Sequence, residues 1–177
     1  MTARQLTRTE EFLTLEFEGL YVVRWFVPVP PPAGLDTILR EVEPLARERS
    51  LAYCGISDER LGTPKDDAHK KRLVQVSLEV AEIVDEFHIV LPGTSAQAML
   101  ARSMYRGMVV GARLSGKILH FAAAKVAHKL HVHRSVPDVA KHASRRMRCS
   151  PSELMHALDS AGALDGMGQR DRITSHP

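Results

Sequence analysis

The chain has 177 residues, of which 44% are hydrophobic and 25% are charged, and its formal net charge is +3. This composition is typical of a globular protein, and the length suffices for one domain with a buried core, with or without an appendage. No run approaches eighteen apolar residues, which excludes a membrane span, and the polar N-terminus carries no secretory signal. We therefore expect a cytoplasmic protein whose two cysteines are reduced.

The N-terminal quarter of the chain predicts a flexible end followed by a β-hairpin. Residues 1–10 are polar, and we expect them to be flexible. Two runs rich in β-forming residues follow, Phe12–Phe17 and Leu20–Val27, and Glu18-Gly19 separates them as a tight turn. The prolines from Pro28 to Pro32 end the second run and form a stiff connector.

The middle of the chain alternates between apolar runs and segments with helical periodicity. Asp36 is the expected cap of a first helix, in which Pro44 predicts a kink or a split. Because a long connection between two apolar strands normally crosses over, His88–Leu91 and Ile118–Phe121 are predicted to pair in parallel. The further predicted elements are a strand at Leu51–Ile56, a helix at Ala68–Glu86, a helix ending near Leu114, and a helix at Ala122–Leu130.

The C-terminal region predicts two short helices. Ser135 with Pro137, and Ser150 with Glu153, are typical helix starts, the second being a capping box. The predicted fold is therefore α/β, with an N-terminal hairpin, a mixed sheet, helices packed mainly on one face, and a C-terminal helical appendage. The predicted boundaries are a flexible N-terminus (1–10), an α/β domain (11–134), a two-helix extension (135–164) and a flexible tail (165–177).

The order of elements resembles the STAS family, the sulfate transporter and anti-sigma-factor antagonist domains, in the branch of the sporulation antagonist. The resemblance covers Glu11 to Leu130. It also rests on a long helix through Arg102 and Tyr105-Arg106-Gly107-Met108, a last strand at Lys117–Phe121, and a final helix that ends at Lys129-Leu130. It implies a STAS-like fold without catalytic activity, which acts by docking on a protein partner.

The resemblance also implies a switch in the loop after the third strand. STAS domains often carry a phosphorylatable residue there, and this chain has Ser57 and Asp58 at that place, in an order reversed from the family's turn and without the glycine that follows it. The alternative is that Ser57 is a turn residue that bonds the local backbone. Thr63 belongs to the same expected partner loop. Thr94 and Ser95, at a strand-to-helix turn, could contact an anion or a partner.

No nucleophile, phosphate-binding or dinucleotide-binding motif is present, so we predict no catalytic residue and no cofactor. His128, His131 and His133 are weak candidates for a metal, since no cysteine or carboxylate nearby completes a ligand set. A basic surface that gains charge below about pH 6.5 is the alternative.

The tail carries a basic surface made of Lys141, Arg145, Arg146 and Arg148. Its two helices faintly resemble a helix-turn-helix, and basic residues there would suit phosphates. The function we predict is a non-enzymatic regulatory or assembly module that binds a protein partner or another copy of itself. The alternatives are a nucleic-acid-binding protein that uses the basic helices, and a carrier of a small ligand or lipid.

Overall fold

The computed structural model describes residues 2–103, 128–145, 147 and 149–167. The predicted α/β class with a mixed sheet is confirmed, and these residues form six strands and five helices. They are, in chain order, β1 (Arg4–Arg8), β2 (Phe12–Phe17), β3 (Leu20–Trp25), α1 (Pro32–Glu48), β4 (Ala52–Ile56), α2 (Asp67–Ile83), β5 (Glu86–Val90), α3 (residues 96–103), β6 (Leu130–His133), α4 (Val136–Ala143) and α5 (Pro151–Ser160).

The strands lie in the sheet in the order in which they occur in the chain. The pairings β1–β2 and β2–β3 are antiparallel, whereas β3–β4, β4–β5 and β5–β6 are parallel. The described neighbours of β5 are thus β4 and β6. The predicted strand Ile118–Phe121 lies outside the described residues, as does most of the predicted helix Ala122–Leu130. Leu130 itself begins a strand, so the helix prediction is wrong at that residue.

The hairpin of β2 and β3 has the predicted turn. Glu18 and Gly19 both have positive φ, 49° and 81°. Two such residues give the backbone twist that suits a two-residue connection between antiparallel strands, and glycine adopts it without a steric penalty. Every residue of both strands is buried, so this hairpin lies inside the protein rather than at its edge.

Strand β1 corrects the expectation of a flexible N-terminus. Arg4 pairs with Glu16 across the β1–β2 ladder, and their side chains form an ion pair at 3.6 Å. The Thr7 hydroxyl donates to the Glu41 carboxylate of α1 at 2.5 Å, and the Tyr21 hydroxyl donates to the other oxygen at 2.8 Å. Strand β1 is thus held by its pairing with β2, by the contacts of Arg4 and Thr7, and by Leu6, which packs against the core.

Helix α1 also differs from its prediction. It begins at Pro32, so Asp36 lies within the first turns and is not the cap. Proline fits the first turn of a helix because the backbone donor that it lacks would have no intrahelical partner there. The helix continues through Pro44 to Glu48, so Pro44 does not split it.

Helices cover both faces of the sheet. One face packs against α1 and α2, through a core that includes Tyr21, Trp25, Tyr53 and Phe87. The other face packs against α4 and α5, the two helices predicted as an appendage. The core of this second face is formed by residues of β2–β5 with Val136, Val139, Ala140, Ala143, Leu154, Met155, Ala157, Leu158, Ala163, Leu164 and Met167.

The end of the chain contributes to this second core. Met167 is buried in it, although residues 165–177 were expected to form a flexible tail. Residues 168–177 lie outside the described part of the chain. The α4–α5 pair is therefore a layer of the domain, and removing its apolar side chains exposes the sheet.

Replacement of Leu154 by alanine tests whether this layer belongs to the domain. Leu154 is fully buried between α5 and the sheet, so we expect Leu154→Ala to lower the free energy of unfolding by about 2–5 kcal/mol. Urea unfolding followed by far-UV circular dichroism measures the change. His156→Ala is the matched control, because His156 lies on the same helix and is exposed. A Leu154→Ala variant that unfolds at the wild-type urea concentration would contradict the packing.

Candidate functional site

Four histidines from three elements meet on the α4 side of the sheet. His88 is on β5, His131 and His133 are on β6, and His142 is on α4. The β5–β6 register pairs His88 with His131 and Val90 with His133. Because alternate residues of a strand share a face, His88, His131 and His133 point to the same side. We call these four residues with Glu86 the histidine cluster.

Local sequence explains how α4 brings His142 to the other three. The Ser135 hydroxyl accepts a hydrogen bond from the Asp138 backbone amide and caps the helix, and Pro137 lies in its first turn. The helix buries one apolar face on the sheet, made of Val136, Pro137, Val139, Ala140 and Ala143. His142 lies in the last turn beside that face, where its ring contacts those of His88, His131 and His133.

The imidazole rings are in direct contact. The His131 and His142 centroids are 4.3 Å apart, and those of His88 and His131 are 5.0 Å apart. The His133 ring lies 5.2 Å from His88 and 5.8 Å from His142. The longest of the six separations, between His131 and His133, is 6.4 Å. Four titratable rings thus share one small volume.

Hydrogen bonds define the protonation of the buried member. His88 is completely buried, and its Nε2 lies 3.1 Å from the Glu86 carboxylate, which can only accept when ionised. We therefore assign the donor proton to His88 Nε2. The other ring nitrogen, Nδ1, lies 3.0 Å from His133 Nε2. In a neutral His88 this Nδ1 is an acceptor, so His133 Nε2–H donates to it.

The cluster combines histidine side chains that were predicted with others that were missed. His131 and His133 are brought together, whereas His128 is exposed in the turn before β6 and is not a member. His88 and His142 were not predicted as site residues. The alternation His-Val-His in a short run was the available signal, since it places two histidines on one face of a strand. As the rings stand, no three His, Cys, Asp or Glu side chains in the described part of the chain are arranged to hold a metal ion.

The loop with Ser57 and Asp58 lies at the carboxyl end of β4. The Ser57 amide donates to the Val90 carbonyl at 3.0 Å, and the Ser57 carbonyl accepts from Arg24 Nη1 at 2.6 Å. The Asp58 carboxylate accepts from both Nε and Nη2 of Arg60, each at 2.9 Å. These hydrogen bonds from Arg60 lower the pKa of Asp58. In the described structure, Asp58 therefore anchors the loop.

A pocket of about 570 Å³ lies beside this anchor, and its wall carries charges of both signs. The lining residues are Arg8, Thr9, Glu10, Arg24, Phe26, Asp58, Glu59, Arg60, Asp165 and Gly166. The Arg24 side chain is buried and stacks over the Phe26 ring at 5.6 Å. Its Nε has no hydrogen-bond partner among the described residues. Burial lowers the pKa of Arg24. The pocket thus has a charged, partly desolvated guanidinium on one side.

Thr63 belongs to a second concavity, which we call the proline groove. It has a volume of about 740 Å³ and lies between the connector after β3 and the start of α2. Most of its wall is apolar. The lining residues are Glu11, Val27, Pro28, Val29, Pro31, Pro32, Thr63, Lys65, Asp66, Ala68, His69 and Arg72.

The other predicted contact residues are dispersed. Ser95 precedes α3, and its hydroxyl accepts from the Ala98 amide at 3.1 Å, while Thr94 is exposed. In the same turn Arg102 Nη1 donates to the carbonyls of Leu91 and Gly93, so the turn is filled by a cation of the chain itself.

Of the predicted basic surface, Lys141 and Arg145 are exposed, whereas Arg146 and Arg148 lie outside the described residues. The helices that carry it bury their apolar faces on the sheet.

Comparison with protein-family models, with curated proteins and with solved structures finds no match to this chain. No helix in the described ranges is long and apolar enough to cross a membrane.

The Asp58–Arg60 contact predicts a specific pH response. Because the folded chain lowers the pKa of Asp58 below its unfolded value of about 3.9, the contact stabilises the fold above that pH, and the stabilisation is lost as the pH falls through the folded pKa. We expect Arg60→Gln to raise the Asp58 pKa toward its unfolded value, as measured by carboxyl ¹³C NMR titration. Arg47→Gln, which removes an exposed ion pair elsewhere, is the control. An Asp58 pKa that is the same in all three proteins would refute the assignment.

Proposed function

We propose that this chain is a non-enzymatic, cytoplasmic regulatory or assembly module, similar to STAS domains, that holds a protein partner in the proline groove. The observation that carries this proposal is the groove itself, a mainly apolar concavity at the surface. Its volume lies within the range of about 300–1,000 Å³ in which proteins bind ligands. It is built from the loop in which the STAS resemblance expects partner contacts.

The walls of the groove are fixed before anything binds. The Gly62 amide donates to the Pro28 carbonyl at 3.0 Å, and His69 Nε2 lies 2.7 Å from the Pro30 carbonyl. A Cβ on Gly62 would lie 2.7 Å from Val29, so only glycine allows the loop to approach the connector this closely. The prolines and these hydrogen bonds already restrict the backbone of the groove. The entropic cost of ordering the groove when a partner binds is therefore small.

The chemistry of the wall indicates the occupant. Val27, Val29 and the prolines offer aliphatic surface without a row of backbone donors, which favours side-chain contacts over strand pairing. The exposed rim charges are of both signs, as Glu11 and Lys65 illustrate, so no strongly charged ligand is favoured. We therefore assign the groove to an extended, aliphatic or proline-rich segment of a partner protein.

The order of elements from β2 to α3 also supports a STAS-like module, because a hairpin is followed there by alternating helices and parallel strands, as in the resemblance. Strand β1 before the hairpin, and β6 at Leu130, where the final helix was expected to end, are not part of that resemblance. Nucleic-acid binding has less support, because α4 and α5 bury their apolar faces on the sheet and α5 carries the exposed acids Glu153 and Asp159.

A small-ligand carrier is the second candidate, and the pocket beside Arg24 favours it. A buried guanidinium with an unused donor suits an acceptor group of a small molecule, whereas the four carboxylates of the same wall disfavour a strongly anionic one. Native mass spectrometry of the purified chain tests this: a bound small molecule that Arg24→Met removes would support the carrier, and a ligand-free chain would oppose it.

The docking proposal is tested with a charge in the groove. Val29 lines it, so we expect Val29→Glu to weaken partner binding more than about tenfold, because the partner's apolar segment would then have to bury a carboxylate. Val74→Glu is the matched control, since Val74 is exposed on α2 and does not line the groove. The measurement is affinity for a partner recovered with the wild-type chain, and for a synthetic peptide of its extended segment, with folding checked by circular dichroism.

Equal affinity of Val29→Glu and Val74→Glu for that peptide would refute the groove as the docking site. A wild-type dimer in sedimentation analysis that Val29→Glu dissociates would instead identify the occupant as a second copy of the chain.

A further inference from the structure

We propose that the histidine cluster is a binding site for one divalent transition-metal ion of the zinc class. His88, His131, His133 and His142 would supply the ligands, and Glu86 would orient His88. The cluster lies on the α4 side of β5 and β6, whereas connector and α2 residues form the proline groove, so this inference does not depend on the proposed docking function.

The four rings lie close enough together for one ion to be shared between them. Zinc binds imidazole nitrogens at about 2.0–2.1 Å in a tetrahedron, which places two ligating nitrogens about 3.4 Å apart. His88 Nδ1 and His133 Nε2 are 3.0 Å apart. The centroid of the His142 ring lies 4.3 Å from that of His131 and 5.2 Å from that of His88.

The Glu86 contact provides an independent indication. A histidine that binds a metal usually donates its other ring N–H to a carboxylate or carbonyl, which fixes the tautomer and the ring orientation. His88 has this arrangement, because its Nε2 is held by Glu86 and its Nδ1 is directed at the other histidines. The hydrogen bond thus selects Nδ1 as the ligating nitrogen. His88 is completely buried, so water does not compete for either ring nitrogen.

Coordination requires the rings to reorient. As they stand, the rings stack and bond to one another rather than surround a common point. The backbone positions of the four histidines are set by the β5–β6 register and by α4. The χ2 torsion, about which a histidine ring rotates, has broad minima.

The ligand types indicate the class of metal. The cluster offers four imidazoles with a nearby carboxylate, which suits zinc, nickel, cobalt or copper(II) better than magnesium or calcium, whose ligands are oxygens. The proposed ligands are therefore the four imidazole nitrogens.

The test is a titration of the full chain, stripped with EDTA, with zinc chloride in competition with a chromophoric chelator. We expect one ion per chain. Glu86→Gln removes the group that orients His88 and should weaken zinc affinity about 10–100-fold. His142→Gln and His133→Gln each remove a ligand, so each should weaken zinc affinity by more than about 100-fold. Cobalt(II) should give visible ligand-field bands that His142→Gln abolishes.

The controls separate specific from incidental binding. His128→Gln and His156→Gln replace exposed histidines outside the cluster and should bind zinc as the wild type does. Val29→Glu should also bind zinc normally, which separates this inference from the docking function. His142 is partly exposed, so its glutamine variant is expected to fold, and circular dichroism verifies this. Binding that is weak and non-stoichiometric, or equally affected by His156→Gln and His142→Gln, would overturn the proposal.

Discussion

The parallel pairing of β5 with β6 is the constraint on which the histidine cluster depends. Its register sets His131 opposite His88 and brings His133 to the same face. Lys129, just before β6, donates to the Val84 carbonyl at 2.7 Å at the C-terminal end of α2, where a cation complements the helix dipole. A shift of one residue in β6 would turn both of its histidines to the opposite face of the sheet.

The second constraint is that the chain returns across the sheet after β6. The α4 and α5 helices bury an apolar layer on β2–β5, and Ser150 and Glu153 form a complete capping box at the start of α5. This layer covers the second core, and it also places His142 beside the other three histidines. The stability of the fold and the geometry of the histidine cluster are therefore linked. The proline groove lies on the α2 side of the sheet instead, and local hydrogen bonds to the Pro28 and Pro30 carbonyls hold its wall.

Features that depend on neighbouring residues could be predicted from the sequence. The hairpin turn at Glu18-Gly19, strand β4 and the cap at Ser150 are of this kind, because turn chemistry and apolar patterning determine them locally. Strand β1 was missed because Leu6 is its one apolar residue, and its pairing with β2 is not visible in its own sequence. Strand β6 was missed because Leu130–His133 has only two apolar residues. The cluster could not be predicted, because β5, β6 and α4 meet only after the sheet and its second layer have formed.

Helix α4 packs over β5 and β6 and brings the four histidine rings together. The most direct test is a two-dimensional nuclear Overhauser spectrum of the aromatic protons, with histidines assigned by single substitutions. The structure predicts cross-peaks between the ring protons of His142 and those of His131, whose centroids are 4.3 Å apart. Cross-peaks from the His142 ring only to residues of its own helix would contradict the account.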